Sequence, residues 1–183
     1  MIKRIKRSTP SIVLVLVCAL AAYFLYSVFF PSGFGTPPHG VHHEPPRSAP
    51  LGSREYRDFA HQFSLFYPEA LTVQEIDEAG GGSTILFQNP EAGVGFQIFI
   101  VGYSEPVVTE ERFKKDIPSG VQTNKEDIIV DGAKGVAFYS LDLGLGETRE
   151  AWFIKNGFLY EVTTPKPLEA HLLEVLKSWK FIL

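Results

Sequence analysis

The sequence predicts an α+β protein: an N-terminal transmembrane helix, then a mostly antiparallel β-sheet flanked by helices. Three observations carry that expectation. Residues 11–30 form an uncharged apolar run. Two dipeptides, Asp131-Gly132 and Asn156-Gly157, each sit between alternating apolar runs and have the residue preference of two-residue hairpin turns. Near the C-terminus, LEAHLLEVLK (168–177) places Leu168, Leu172, Val175 and Leu176 on one helical stripe.

The first element is SIVLVLVCALAAYFLYSVFF, Ser11 to Phe30, which holds no charge, proline or glycine. At the helical rise its twenty residues span roughly 30 Å, one hydrocarbon thickness. Lys3, Arg4, Lys6 and Arg7 precede it, and the next basic residue is Arg47. The positive-inside bias therefore keeps residues 1–10 as a cytoplasmic tail and sends the rest of the chain outside the cytosol, periplasmic or extracellular. A cleaved signal peptide is the rival reading. Its apolar region usually runs about 7–15 residues, and the one small-x-small site, Ala19-Leu20-Ala21, falls in the middle of the run. A lipoprotein reading meets the same difficulty at Cys18, which follows Val17 where a small residue is wanted. The expected partner of 11–30 is thus the lipid bilayer.

Residues 31–53 contain Pro31, Pro37, Pro38, Pro45, Pro46 and Pro50 among glycines, so neither a helix nor a paired strand is expected there. This is a stalk, with a reach between roughly 25 Å as a coil and roughly 70 Å as extended polyproline. His39, His42 and His43 lie in it. A metal site wants rigid ligands, and Gly40 with the flanking Pro-Pro pairs denies them a helix, so a polar spacer is the preferred reading.

From residue 54 to 183 the pattern changes to short strands, tight turns and two helices. QFSLFYP (62–68) alternates Phe63, Leu65 and Tyr67 and stops at Pro68; residues 72–77 make a weaker strand; Gly80-Gly81-Gly82 turns the chain into STILFQ (83–88). VGFQIFIVGY (94–103) is apolar on both faces and is expected near the sheet centre. TEERFKKD (109–116) has Thr109 as an N-cap, acids in its first turn and lysines in its last, as the helix dipole favours. Strands 126–130 and 133–141 flank the first hairpin turn, 148–155 and 158–164 the second. Pro167 suits the opening turn of the closing helix, and WKFIL offers a short final strand. The predicted order is four strands, a helix, four strands and a helix, forming a single sheet with a helix-covered face.

Composition narrows the function. With 45% apolar and 21% charged residues the chain is globular in character. Residues 51–183 carry 12 basic against 20 acidic groups, a net charge of −8, which opposes nucleic-acid binding. The single cysteine, Cys18, excludes a disulfide scaffold and a Cys-based zinc site.

Several stretches resemble the PsbP-like domains: FSLFYP followed by Ala70-Leu71, the helix TEERFKK, the hairpin NGFLYEVT and the closing LKSWKF. That family includes the extrinsic subunit of the photosynthetic oxygen-evolving complex, related bacterial lipoproteins and, more distantly, the Ran-binding Mog proteins. The resemblance covers about residues 56–183. It implies an antiparallel sheet sandwiched by helices and a role in binding a protein or membrane complex, without catalysis. The chain departs from the family in keeping an anchor segment and in having Ala70-Leu71 where a tryptophan is common.

No nucleophile elbow, P-loop, H-E-x-x-H, dinucleotide or EF-hand pattern occurs. Gly144-Leu145-Gly146 is followed by Glu147 and Glu150, the wrong charge for a phosphate loop, and reads as an interstrand loop. Two acidic groups, Glu75, Asp77 and Glu78, and Asp142, Glu147 and Glu150, lie beside turns, where carboxylates in water keep ordinary pKa values. His61 and His171 read as boundary or packing residues, and Trp152, Tyr160 and Trp179 as core. No catalytic, cofactor-binding or metal-binding residue is expected. The function expected is a membrane-anchored, non-catalytic head that binds or scaffolds another envelope or membrane protein; the alternative is an envelope domain binding a lipid, glycan or metal.

Overall fold

The computed structural model describes residues 47–182. The expected membrane segment, Cys18, most of the stalk and His39, His42 and His43 lie outside the described residues. Among the described residues no helix is long and apolar enough to cross a membrane.

The body opens with β1 (Ser53–Asp58), which pairs antiparallel with β2 (Phe63–Pro68), Tyr56 opposite Leu65. Every second residue of β2, Phe63, Leu65 and Tyr67, is buried, as its alternation predicts. Then come β3 (Thr72–Glu78), β4 (Gly82–Asn89) and β5 (Val94–Gly102), helix α1 (Glu110–Asp116), and β6 (Thr123–Val130), β7 (Ala133–Asp142), β8 (Gly146–Lys155) and β9 (Phe158–Pro165). A 3₁₀ turn at Lys166–Leu168, containing Pro167, leads into α2 (Glu169–Ser178), and β10 (Lys180–Phe181) ends the chain's described part.

The strands form two sheets, not the single one expected. β3 to β9 make a seven-stranded antiparallel sheet in the order β3-β4-β5-β9-β8-β7-β6, and β1-β2-β10 make a small second sheet. The buried side of β2 meets the face of the large sheet, which leaves β2 outside the large sheet's hydrogen-bond ladder. β1 was not foreseen: SREYRD has one apolar residue, Tyr56, so its pairing is set by β2 and not by any pattern of its own. Ser53, counted with the stalk in the sequence, is the first residue of β1.

The large sheet is covered on both faces. On one, the small sheet and α2 enclose a core centred on Trp179, which stacks on Phe63 at 4.4 Å and meets Phe153 edge-on at 5.0 Å. On the other, α1 lays Phe113 and Ile117 on Phe138, Trp152 and Leu159, with Phe113 stacked on Trp152 at 5.0 Å. Thr109 caps α1 by accepting from the Arg112 amide at 3.3 Å. Both hairpin dipeptides behave as their composition demands: Asp131 and Gly132 have φ of 43° and 81°, Asn156 and Gly157 of 53° and 81°, the left-handed pairs of a type I′ turn.

Candidate functional site

The β7–β8 turn is built from SLDLGLGE. A three-residue loop joins the strands, and Gly146 has φ of 75°. Asp142 accepts from the amides of Gly144 at 2.7 Å and Leu145 at 2.8 Å, which shapes the loop from inside. The backbone is thereby committed to its own Asp, and the leucines turn outward: Leu141 is 44% exposed, Leu143 75% and Leu145 48%. Three exposed leucines in one hairpin tip form an apolar protrusion, a surface that excludes water on contact with another apolar surface. Glu147 beside it is held by Lys166 at 3.2 Å. Sequence reasoning passed over these leucines; the signal available was leucine at every second position through a turn, where polar residues are the rule.

The carboxylates divide differently from expectation. Glu150 does not lie in water beside a turn. It sits within β8, 4% exposed, accepting from Thr148 Oγ1 at 2.6 Å, Thr163 Oγ1 at 2.7 Å and Trp152 Nε1 at 3.3 Å. Burial pushes its pKa up against those three hydrogen bonds. One strand away Glu161, 6% exposed, meets Arg112 of α1 at 2.9 Å, and Arg112 also pairs with Asp116 one turn along the helix. One guanidinium thus faces two carboxylates. Burial first, then the neighbouring Asp116, raise Glu161 to about 9 despite the contact with Arg112, so Glu161 holds a proton at neutral pH. The hydroxyls around Glu150 belong to Thr148, wholly buried, and Thr163; neither lines a described cavity, so the cluster ties β8 to β9 and α1 to the sheet.

The remaining residues singled out in the sequence have packing roles. Glu75 accepts from the Tyr56 hydroxyl at 2.7 Å and Glu78 from Thr84 Oγ1 at 2.8 Å, while Asp77 is exposed on β3, an edge strand. The His61 ring stands 2.7 Å from Asp58 and edge-on to Phe158, closing the β1–β2 turn. Trp152, Tyr160 and Trp179 are all buried, as expected. Among the described residues no three of His, Cys, Asp and Glu gather to hold a metal ion.

Two cavities are described. One, about 180 Å³, lies between α2 and the end of the large sheet, lined by Leu71, Phe96, Leu172 and Val175 with His171 also on its wall. The other, about 240 Å³, lies on the outer face of the small sheet among Arg47, Arg57, Ser64, Lys180, Phe181 and Ile182. Both are smaller than the roughly 300 Å³ at which pockets for organic ligands begin.

No family model and no curated protein matches the chain. Among solved structures, that of cyanobacterial PsbP (CyanoP) from Synechocystis superposes with a TM-score of 0.56, covering 78% of this chain and 99% of that one at 13% identity. The body therefore has a PsbP-like fold, antiparallel sheets with two short helices, in keeping with the resemblance drawn from its motifs. A GTP-binding regulator from Thermotoga maritima matches at a TM-score of 0.33 and 16% identity, over 59% of this chain and 76% of that one, too loosely to carry an argument.

Proposed function

We propose that this chain is a single-pass membrane protein whose PsbP-like head, held outside the cytosol, docks another envelope or membrane protein without catalysing a reaction. The observation that carries the reading is the leucine tip of the β7–β8 hairpin, three exposed apolar side chains on a turn that Asp142 holds in shape. An apolar tip of this size gives a weak contact alone. Tethering through residues 11–30 would raise its effective concentration toward any partner in the same bilayer, so weak contact suffices. The body's net charge of −8 adds a preference for a partner with a basic surface around an apolar recess.

The test is a photo-crosslinking residue at Leu143 in the full chain, within native membranes, beside the same experiment on Leu145→Asp. One defined crosslinked neighbour that weakens in Leu145→Asp supports the docking role. Crosslinks only to lipid, or a neighbour captured equally by the variant, would remove it. Labelling of cysteines introduced into the head, accessible from outside intact cells or spheroplasts, checks the orientation.

A further inference from the structure

The outer face of the small sheet carries a second site, independent of the leucine tip. Arg57 of β1, Ser64 of β2 and Lys180 of β10 are register partners, so they form one transverse row across the three strands. Arg47 lies across the same face. Its guanidinium stacks over Phe66 at 4.3 Å, donates from Nε to Glu55 at 3.0 Å and from Nη1 to the Ser178 carbonyl at 2.8 Å. Those contacts fix the plane of the guanidinium and leave Nη2 buried with no hydrogen-bond partner. Ser64 is wholly buried, and its Oγ likewise has none. Buried donors left unmatched are unfavourable, which asks for a ligand that matches them.

The chemistry of the lining says which ligand. Two guanidinium groups, one ammonium and one hydroxyl surround the 240 Å³ space, and no carboxylate lines it. The acids nearby are employed at the margin: Glu55 sits 3.0 Å from both Arg47 Nε and Arg57 Nε, and Asp131 holds Lys180 Nζ at 2.6 Å and accepts from the Phe181 amide at 2.8 Å. Burial works to raise both carboxyls, yet their cationic and amide partners hold each below the usual carboxylate range, so both stay ionised and keep the basic side chains in place. With three cations against two acids the site is net positive in a body that is net negative. We propose that this cavity binds a small oxyanion, a phosphate group, with Arg47 Nη2, Ser64 Oγ and Lys180 Nζ donating to its oxygens. Planar guanidinium forks suit such oxygens, and the volume suits an inorganic ion or one headgroup phosphate, not a larger ligand.

The test uses the full chain purified in nonionic detergent. Equilibrium dialysis with labelled inorganic phosphate is run beside thermal unfolding in phosphate and in chloride at matched ionic strength, which removes general screening. One phosphate per chain is expected, with Tm rising by about 2 °C or more once phosphate exceeds its dissociation constant several-fold. Ser64→Ala and Lys180→Gln should each weaken phosphate binding about tenfold or more, and Ser64→Ala should unfold at an equal or higher temperature in chloride, because it deletes an unmatched hydroxyl. Competition by water-soluble dihexanoyl phosphatidic acid, compared with dihexanoyl phosphatidylcholine, separates a lipid phosphate from the free ion: displacement of the labelled ion by the former alone and at a lower concentration than unlabelled phosphate, lost in Lys180→Gln, assigns the headgroup. No binding of either form above the chloride control, or binding that both variants retain in full, overturns the proposal. Ser64→Ala tests it even if Lys180→Gln unfolds through loss of Asp131's partner.

Discussion

Arg112 on α1 and Glu161 on β9 lie 2.9 Å apart, Nη2 to Oε1, with both side chains buried between the helix and the sheet. The pair looks like an ordinary ion pair, but Asp116 competes for the same guanidinium and Glu161 keeps its proton. Removing Arg112 leaves Asp116 and Glu161 facing each other without their shared partner, so Arg112→Ala should destabilise the body by about 3 kcal/mol. Glu161→Gln replaces a neutral group by a neutral group and should cost less than about 1 kcal/mol. Urea unfolding of the two variants decides it; equal losses would mean that Glu161 is ionised.

The same proton sets a pH dependence. Unfolded, Glu161 titrates near the usual 4.5; folded, near 9. Between those values the folded chain binds the extra proton, so this contribution is fully present below about pH 4.5 and is lost as pH rises through about 9. Burial of Glu150 acts in the same direction. Tm should therefore decline from about pH 6 to about pH 9, and decline less in Glu161→Gln. A decline of unchanged steepness in that variant would locate the effect elsewhere.

Trp179 joins the two sheets. It stacks on Phe63 of β2 and meets Phe153 of β8 and Tyr160 of β9 edge-on. Trp179→Ala should cost about 3–5 kcal/mol by opening a cavity between the layers. Trp179→Phe should cost distinctly less, because the indole Nε1 is buried without a hydrogen-bond partner and its loss removes an unmatched donor. Chemical denaturation of both variants gives the comparison; a Phe variant as unstable as the Ala one would contradict it.

Two strand glycines should respond oppositely. A Cβ on Gly135 would stand 2.2 Å from the Trp152 carbonyl oxygen and 2.6 Å from Phe153 Cβ, so Gly135→Ala must push β7 from β8 and should cost about 1–3 kcal/mol or more. A Cβ on Gly102 would meet nothing within 4 Å, and Gly102→Ala should leave stability unchanged or raise it by about 0.4–1 kcal/mol. Thermal unfolding of the two variants measured together is the check.

Most elements of the body were legible because each is encoded locally. Alternation marks β2 and β9, a run apolar on both faces marks β5, the two Xxx-Gly dipeptides place their hairpins, and Thr109 with its charge gradient places α1. β1 was not legible, since its partner lies across a turn and only Tyr56 of it faces the core. The burial of Glu150 was hidden for a related reason. Counting residues from the glycines put it beside a turn, whereas the register opposite Phe138 and Thr163 puts it mid-strand under neighbouring layers. The leucine tip was readable as leucines in a turn, but their outward direction depends on Asp142 occupying the loop's interior.

Short-range chemistry was enough to specify most of the strands, the turns and the helices, because periodicity, left-handed glycines and end-caps act over a few residues; the expectation of a PsbP-like fold rested on the resemblance of FSLFYP, NGFLYEVT and LKSWKF to that family. Contacts between distant residues assigned the rest: two sheets instead of one, Arg112 shared by Asp116 and Glu161, and Arg47 laid across Ser64 beside a lysine more than a hundred positions away. Burial and charge at those places arise from what is brought alongside, and neighbours in space leave no periodic trace along the chain.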